Sequence, residues 1–347
     1  MFKRISLARV KDVLLLTGWL GFFILGFFAA GHLFTLGKNQ TFFLGEEDFA
    51  SSYAISAWGP RIGHVTTENI PIREEGNSAF YFASPNEIIS LPKWRQISDW
   101  ITAKSYNLVN KQTNRWQFKG APMSVFYHEG YFIGVNLDYA FLQNSEDQSD
   151  YEILPPRLLV KERLWLLFEA GAPSDAIDFQ QERVMDASFD RDSNSLYLSA
   201  QYNDRIAAIF QYQIDTDTLK LLVMEAQIDT FRVLPNHNIV YKKPEGLFLL
   251  DVNSGNSQQL IEGSILNFAV SADGQKLAYT AINERGVTEL YGMYMDQRNV
   301  KEMQAHSLLY SNLPNVQALE WIDDRLLCIN RQPTGSYQLY RFTLKNE

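Results

Sequence analysis

The residues of this chain that bear on chemistry are mostly near misses. A serine hydrolase elbow needs Gly-x-Ser-x-Gly, and the closest approach, Gly76-Asn77-Ser78-Ala79-Phe80, lacks the second glycine. Asp190, Asp192 and Asn194 imitate the opening of a calcium loop, but Ser195 and Gln201 stand where that loop requires glycine and glutamate, so an Asp/Asn-rich hairpin turn is the expected reading. The histidines, His32, His64, His128, His237 and His306, are too scattered for zinc spacing, and His-Glu-x-x-His is absent. Cys328, the single cysteine, sits in the apolar run Leu326–Ile329 and reads as a small buried side chain. No catalytic residue, metal ligand or cofactor is expected from these patterns.

One tract departs from the rest. Lys93, Arg95, Lys104, Lys111, Arg115 and Lys119 face a single acid, Asp99, in a chain whose net charge is −9, and Trp94, Trp100 and Trp116 fall among them. Were Lys93 to Ala103 helical, Trp94, Ile97 and Ile101 would share one face, giving a short amphipathic insert between larger elements. These nine basic and tryptophan residues are therefore the candidate partner-binding set, for anionic lipid headgroups or an acidic partner. A solvated basic loop whose tryptophans pack into the core is the competing reading. Glu146, Asp147, Asp150 and Glu152 read as a solvated acidic loop.

The elements that must position such groups follow from composition and patterning. With 46% hydrophobic and 14% aromatic residues in 347, the chain can bury a sizeable core, and a pI near 5.2 argues against nucleic acid as a partner. Val13 to Leu36 contains no Asp, Glu, Lys or Arg and is about 24 residues long, enough to cross a hydrocarbon layer. Lys3, Arg4, Arg9 and Lys11 precede it, which predicts residues 1–12 as a cytoplasmic tail, 13–36 as a transmembrane anchor in contact with membrane lipid, and the remainder outside the cytoplasm, periplasmic in a Gram-negative cell. A cleaved signal peptide ending at Ala29-Ala30-Gly31 is the alternative.

Beyond the anchor, short apolar runs broken by Asp, Asn, Gly, Ser and Pro predict an all-β domain over 37–347, with the basic insert at 93–119. From Val184 onward four segments share one order of parts, and Leu196, Ile239, Leu277 and Leu326 occupy equivalent positions roughly 40 to 50 residues apart, the period of four-stranded propeller blades. Within the third segment, Phe268-Ala-Val-Ser-Ala-Asp-Gly-Gln-Lys-Leu-Ala-Tyr279 resembles the repeat of TolB-type, WD40-like β-propellers, also found in the propeller domains of prolyl-oligopeptidase-type enzymes. That resemblance covers roughly Val184 to Asn346 and implies that Asp273-Gly274 is the tight turn between a blade's first two strands. Ser271-Ala272-Asp273-Gly274 does not meet the sialidase Asp-box pattern.

Roughly 300 residues from Thr41 to Glu347, at about 44 per blade, predict seven blades, with six and eight left open. Ser78 to Ser84 with Glu87 to Leu91, and Ser124 to His128 with Tyr131 to Leu137, supply upstream hairpins. Fourth strands are expected at Leu219 to Val223, Ser257 to Ile261 and Val300 to Gln304. The last segment ends after its third strand, Gln338 to Leu344, so a strand from the start of the domain, Thr41 to Leu44, is expected to close the ring beside Tyr340. The function this organisation predicts is a membrane-anchored, non-enzymatic module binding a protein partner within a membrane complex. The alternative is a glycan-directed enzyme or ligand sensor whose site is built from blade loops at the central channel.

Overall fold

A computed structural model of the chain describes residues 60–70, 72, 78–92, 100–119, 124–135, 140–146, 152–154, 183–203, 206–295 and 306–344. Among the described residues there are six four-stranded antiparallel sheets arranged as the blades of a propeller. Strand β1 (Ile62–Ile70) comes first among the described strands and belongs to the last blade. The first blade is β2 (Ser78–Ser84), β3 (Glu87–Pro92), β4 (Trp100–Asn107) and β5 (Thr113–Lys119), and the second is β6 (Ser124–His128), β7 (Tyr131–Val135), β8 (Ala140–Asn144) and β9 (Glu152–Leu154). The third comprises β10 (Arg183–Asp190), β11 (Ser195–Asn203), β12 (Ile206–Gln213) and β13 (Thr218–Glu225), and the fourth β14 (Phe231–Val233), β15 (Ile239–Lys243), β16 (Gly246–Leu250) and β17 (Ser257–Glu262). The fifth holds β18 (Ile265–Val270), β19 (Lys276–Ile282), β20 (Thr288–Tyr294) and β21 (Ser307–Ser311). The sixth runs β22 (Val316–Ile322), β23 (Arg325–Arg331), β24 (Tyr337–Leu344) and then β1.

Six blades replace the seven expected. Dividing by a constant length failed because the interval between successive innermost strands ranges from about 34 to about 59 residues, and because the described ring starts at β1, not Thr41. The expected fourth strand Val300 to Gln304 lies outside the described residues; Ser307–Ser311 fills that place. Where it is described, the basic tract belongs to a blade. Its residues 100–119 are the outer hairpin of the first blade, and the helical reading of Lys93 to Ala103 fails where it can be checked, because Trp100 to Ala103 are extended. In that strand Ile101, Ala103 and Ser105 alternate onto one face, and a period of two takes over from the accidental spacing of Trp94, Ile97 and Ile101. Residues 93–99 lie outside the described residues, as does the expected anchor, Val13 to Leu36. No helix among the described residues is long and apolar enough to cross a membrane.

Each sheet is a flat element with two faces and can bury them only against its neighbours. The buried side chains accordingly fall into six clusters, one at each blade-to-blade interface. Phe80, Phe82 and Ile88 of the first blade meet Leu327, Leu339 and Tyr337 of the sixth, for example, and Phe126 and Leu142 of the second meet Phe189, Leu198 and Phe210 of the third. The innermost strands obey a common rule. Residues facing the preceding blade are apolar: Phe80 and Phe82, Val125 and Tyr127, Ala187 and Phe189, Phe231 and Val233, Phe268 and Val270, Leu319 and Trp321. Their alternating neighbours face the following blade.

The Asp273-Gly274 turn stands where the repeat implied it, between β18 and β19, with Gly274 N–H donating to the Ser271 carbonyl at 2.8 Å. Gly274 has φ +70°, and a Cβ there would come within 2.9 Å of Pro235 in the fourth blade, so both backbone and neighbour demand glycine.

Closure also uses a borrowed strand, but a different one. Thr67 of β1 pairs with Tyr340, and Ile62 to Ile70 run antiparallel along the whole of β24. With β23 on its other edge, β24 has no edge left for Thr41 to Leu44, which lie outside the described residues. Ile70 from β1 is buried in the interface with the first blade. A chain lacking residues 1–70 should therefore be less stable in urea unfolding than one lacking residues 1–55 by more than about 3 kcal/mol, as for loss of several buried groups; equal midpoints would show that β1 is dispensable.

Candidate functional site

The forward-facing positions of the innermost strands carry polar groups, and these reach across the inner rim from blade to blade. Tyr81 in the first blade meets the ring of Tyr127 in the second edge-on at 6.3 Å. His128 of the second lies with Nε2 3.3 Å from the hydroxyl of Ser188 in the third. Asp186 of the third accepts hydrogen bonds from the backbone N–H of Phe231 and the guanidinium of Arg232, both at 3.2 Å, and from the hydroxyl of Thr230. Arg232 of the fourth blade stands 5.7 Å from the ring centroid of Phe268 in the fifth. Asn267 of the fifth donates to the Val316 carbonyl of the sixth at 3.4 Å, and Glu320 of the sixth accepts from the Phe82 N–H of the first at 3.3 Å. The circuit closes on itself.

A displaced register places part of this girdle. Strands β10, β18 and β22 each carry a bulge near their start, at Met185, Leu266 and Gln317, ahead of Asp186, Asn267 and Ala318. An extra residue offsets the alternation, so Val184 and Ile265 pack toward the preceding blade although Asp186 and Asn267, two residues on, face the next.

The electrostatics are those of a narrow enclosed space. Burial pushes the Tyr81 phenol well up, and Asp186, Arg232 and Glu320, from three other blades, all act on its charge. Burial likewise pushes Glu320 up to about 7, against the pull of Arg232 and of the Phe82 N–H. His128 is pushed down to about 4, by burial first and the nearby positive charge of Arg232 second, so it is neutral near pH 7. These carboxylates and the imidazole make hydrogen bonds to neighbouring blades, the work of staples. The same property gives a pH signature. A carboxyl with a raised folded pKa costs stability as pH climbs from its unfolded value, 4.5, through about 7. Glu320→Gln keeps an oxygen for the Phe82 N–H and should raise the melting temperature above pH 7, the gain fading toward pH 4.5; a gain independent of pH would refute the buried-charge reading.

The turns joining first to second and third to fourth strands form one face of the ring, and they cap themselves. Asp190 accepts from Asp192 N–H at 3.0 Å and from the Ser193 hydroxyl at 2.6 Å, so the calcium-like triplet is an Asx turn. Asn194 in turn donates to Asp215 at 2.7 Å. Among the described residues no group of three or more His, Cys, Asp and Glu is placed to hold a metal ion. Asp251, Asn107 and Asn236 cap their turns in the same manner. Polar contacts also link neighbouring blades on this face: His237 Nδ1 lies 3.2 Å from an Asp190 oxygen, and Lys276 pairs with Asp324 at 3.4 Å.

The candidate set from the sequence is only partly gathered. Lys93, Trp94 and Arg95 lie outside the described residues. Trp100 pairs with Lys119 and Lys104 with Arg115 across β4 and β5, and Lys111 sits in the turn between them. Trp116 leaves the set, because it is buried against Phe132 in the core between the first and second blades. Cys328 is buried as expected, its thiol pushed up by burial. The girdle was missed. Its only sequence trace is a polar residue between two apolar ones, as in Phe80-Tyr81-Phe82, Ala187-Ser188-Phe189, Phe231-Arg232-Val233 and Leu319-Glu320-Trp321.

No protein family model matches the chain, and no curated protein matches it. Solved structures of similar architecture include TolB from Acinetobacter baumannii, 14% identical, with 77% of this chain and 66% of that chain covered and a TM-score of 0.47. The Cps50 (Swd1) β-propeller domain of Myceliophteria thermophila is 13% identical, with 81% of this chain and 99% of that chain covered and a TM-score of 0.43. A chain of the mitotic checkpoint complex is 6% identical, with 83% and 95% covered and a TM-score of 0.47. Identities of this size say nothing of activity or partner.

Proposed function

We propose that this protein is a non-enzymatic interaction module, a rigid six-bladed platform presenting its turns to a protein partner, tethered to a membrane through Val13 to Leu36 with the ring outside the cytoplasm. The observation that carries this reading is the division of labour among polar groups. Those along the inner rim hold blade to blade, and those in the turns cap the turns, which leaves a pre-organised surface whose loops need little ordering on binding. The tether rests on the sequence alone, from the length of the uncharged span and the basic residues ahead of it.

A site assembled at the axis, for a glycan or another small ligand, is less well supported, because Asp186, Glu320 and His128 spend hydrogen bonds on neighbouring blades. Photo-crosslinking in native membranes separates the readings. Crosslinkers at Asp192 and Asn253 sample the face of capped turns, and crosslinkers at Glu284 and Thr334 sample the opposite face. A platform should give a discrete protein adduct from positions on one face; adducts absent from all four positions would count against it.

A further inference from the structure

Two side chains at the axis of the ring keep hydrogen-bonding capacity that the inner rim does not use. Glu320 of the sixth blade has no ion pair among the described residues. Its one hydrogen bond there comes from the Phe82 N–H, at 3.3 Å and to a single oxygen, so the second oxygen of an enclosed carboxylate is left over. Tyr81 immediately precedes Phe82 in the chain and stands beside it. Its ring is held edge-on by Tyr127, its phenol is enclosed, and its hydroxyl makes no hydrogen bond among the described residues.

The cation that could answer Glu320 is committed elsewhere. The Arg232 guanidinium lies 3.2 Å from Asp186 and donates to the Phe231 carbonyl at 2.7 Å. It acts on Glu320 from the fourth blade, and Glu129, in the turn between β6 and β7, acts on it from the second; neither blade is a neighbour of the sixth, so both charges reach Glu320 across the central opening. Glu129 adds a further negative charge. An enclosed carboxylate without a contacting cation costs free energy whenever it is ionised, and a residue needed only to accept from the Phe82 N–H could be an amide. Glu320 also stands near a surface. It lies two residues before the end of β22, about 7 Å along the strand from the face of capped turns, at about 3.3 Å per residue.

We propose that the axial opening on that face receives one basic side chain, lysine or arginine, from the partner protein, donating to the free oxygen of Glu320 and to the hydroxyl of Tyr81. This rests on the platform reading above, and it names the face of the ring and the chemistry of the partner. A free amine would gain the same two contacts and nothing more. A side chain carried by a protein adds the contacts its backbone makes with the surrounding turns, which favours the partner.

The test uses the full-length protein in mild detergent at low ionic strength, with the end-blocked peptide Gly-Gly-Arg-Gly-Gly as probe, read by titration calorimetry. Saturable binding is expected, about tenfold tighter at pH 8 than at pH 6, because arginine stays charged while Glu320, pushed up to about 7, gains its charge over that interval. Glu320→Gln should weaken binding about tenfold or more at pH 8 and abolish the pH dependence. The other groups that face Glu320, namely Arg232, Asp186, Tyr81, His128 and Glu129, all remain in that variant, so the loss isolates Glu320. Asp215→Asn removes as much charge from an exposed position at the rim of the same face and should change the affinity less than about twofold. Should Glu320→Gln fail to fold, Tyr81→Phe, which removes only the hydroxyl, must still weaken binding. Absence of binding to the unaltered protein, equal binding of an all-glycine peptide, or an affinity indifferent to pH would each overturn the proposal. Equal losses in Glu320→Gln and Asp215→Asn, or tighter binding of butylamine than of the peptide, would overturn it too. A partner crosslinked from Asp192 whose capture ignores Glu320→Gln would sink this inference and leave the platform standing; peptide binding without any crosslinked partner would do the reverse.

Discussion

Everything in this structure depends on the burial of one sheet face against the next. A four-stranded sheet with an apolar face on either side is unstable alone, and stacking it on two neighbours is the only arrangement that covers both. The consequence is collective. Six interfaces must all form, and the ring is complete only when the sixth blade, three strands from the end of the described chain and one from its beginning, meets the first. Ile70 and Tyr337, paired across that seam, are both buried in the closing interface, so the registry of β1 on β24 and the packing of the sixth blade on the first are one event.

The inner rim shows how polar groups are accommodated in such a ring. Close to the axis, facing strands leave backbone N–H and carbonyl groups near one another, and leaving any of them unpaired costs free energy. Side chains from the preceding blade supply partners: Asp186 to Phe231 N–H, Glu320 to Phe82 N–H, Asn267 to the Val316 carbonyl. Every such contact runs in the same direction around the ring. A group that faced backward would instead enter the apolar layer of Phe80, Phe189 or Trp321 and have to be desolvated there.

How much of this was legible follows from the range over which each feature is encoded. Local features were readable: the Asp273-Gly274 turn needs only its own residues, and the hairpin of β2 with β3 announces itself by alternation across Pro85-Asn86. Blade number was not, because it depends on connections of very different length and on where the ring begins. The need for a borrowed closing strand could be deduced from counting, but its identity could not: Ile62 to Ile70, with His64, Thr66, Thr67, Glu68 and Asn69, is too polar to stand out beside Thr41-Phe42-Phe43-Leu44. A strand at the outer edge of a blade is half solvated and reads that way. The basic tract was visible as charge, but that Lys111 shares Glu68 with Arg341, both far away in sequence, was not.

The central claim is that β1 is an integral strand of the closing blade. Native-state hydrogen exchange addresses it most directly, by comparing hydrogen-bonded amides of β1 with those of a buried strand such as β11. If closure is part of the cooperative unit, the inward-pointing amides of Thr66 to Ile70 exchange only through global unfolding, with the same free energy as those of Leu196 to Leu198 and the same dependence on denaturant. Exchange of the β1 amides through local fraying, far faster than that of β11 and insensitive to denaturant, would contradict it.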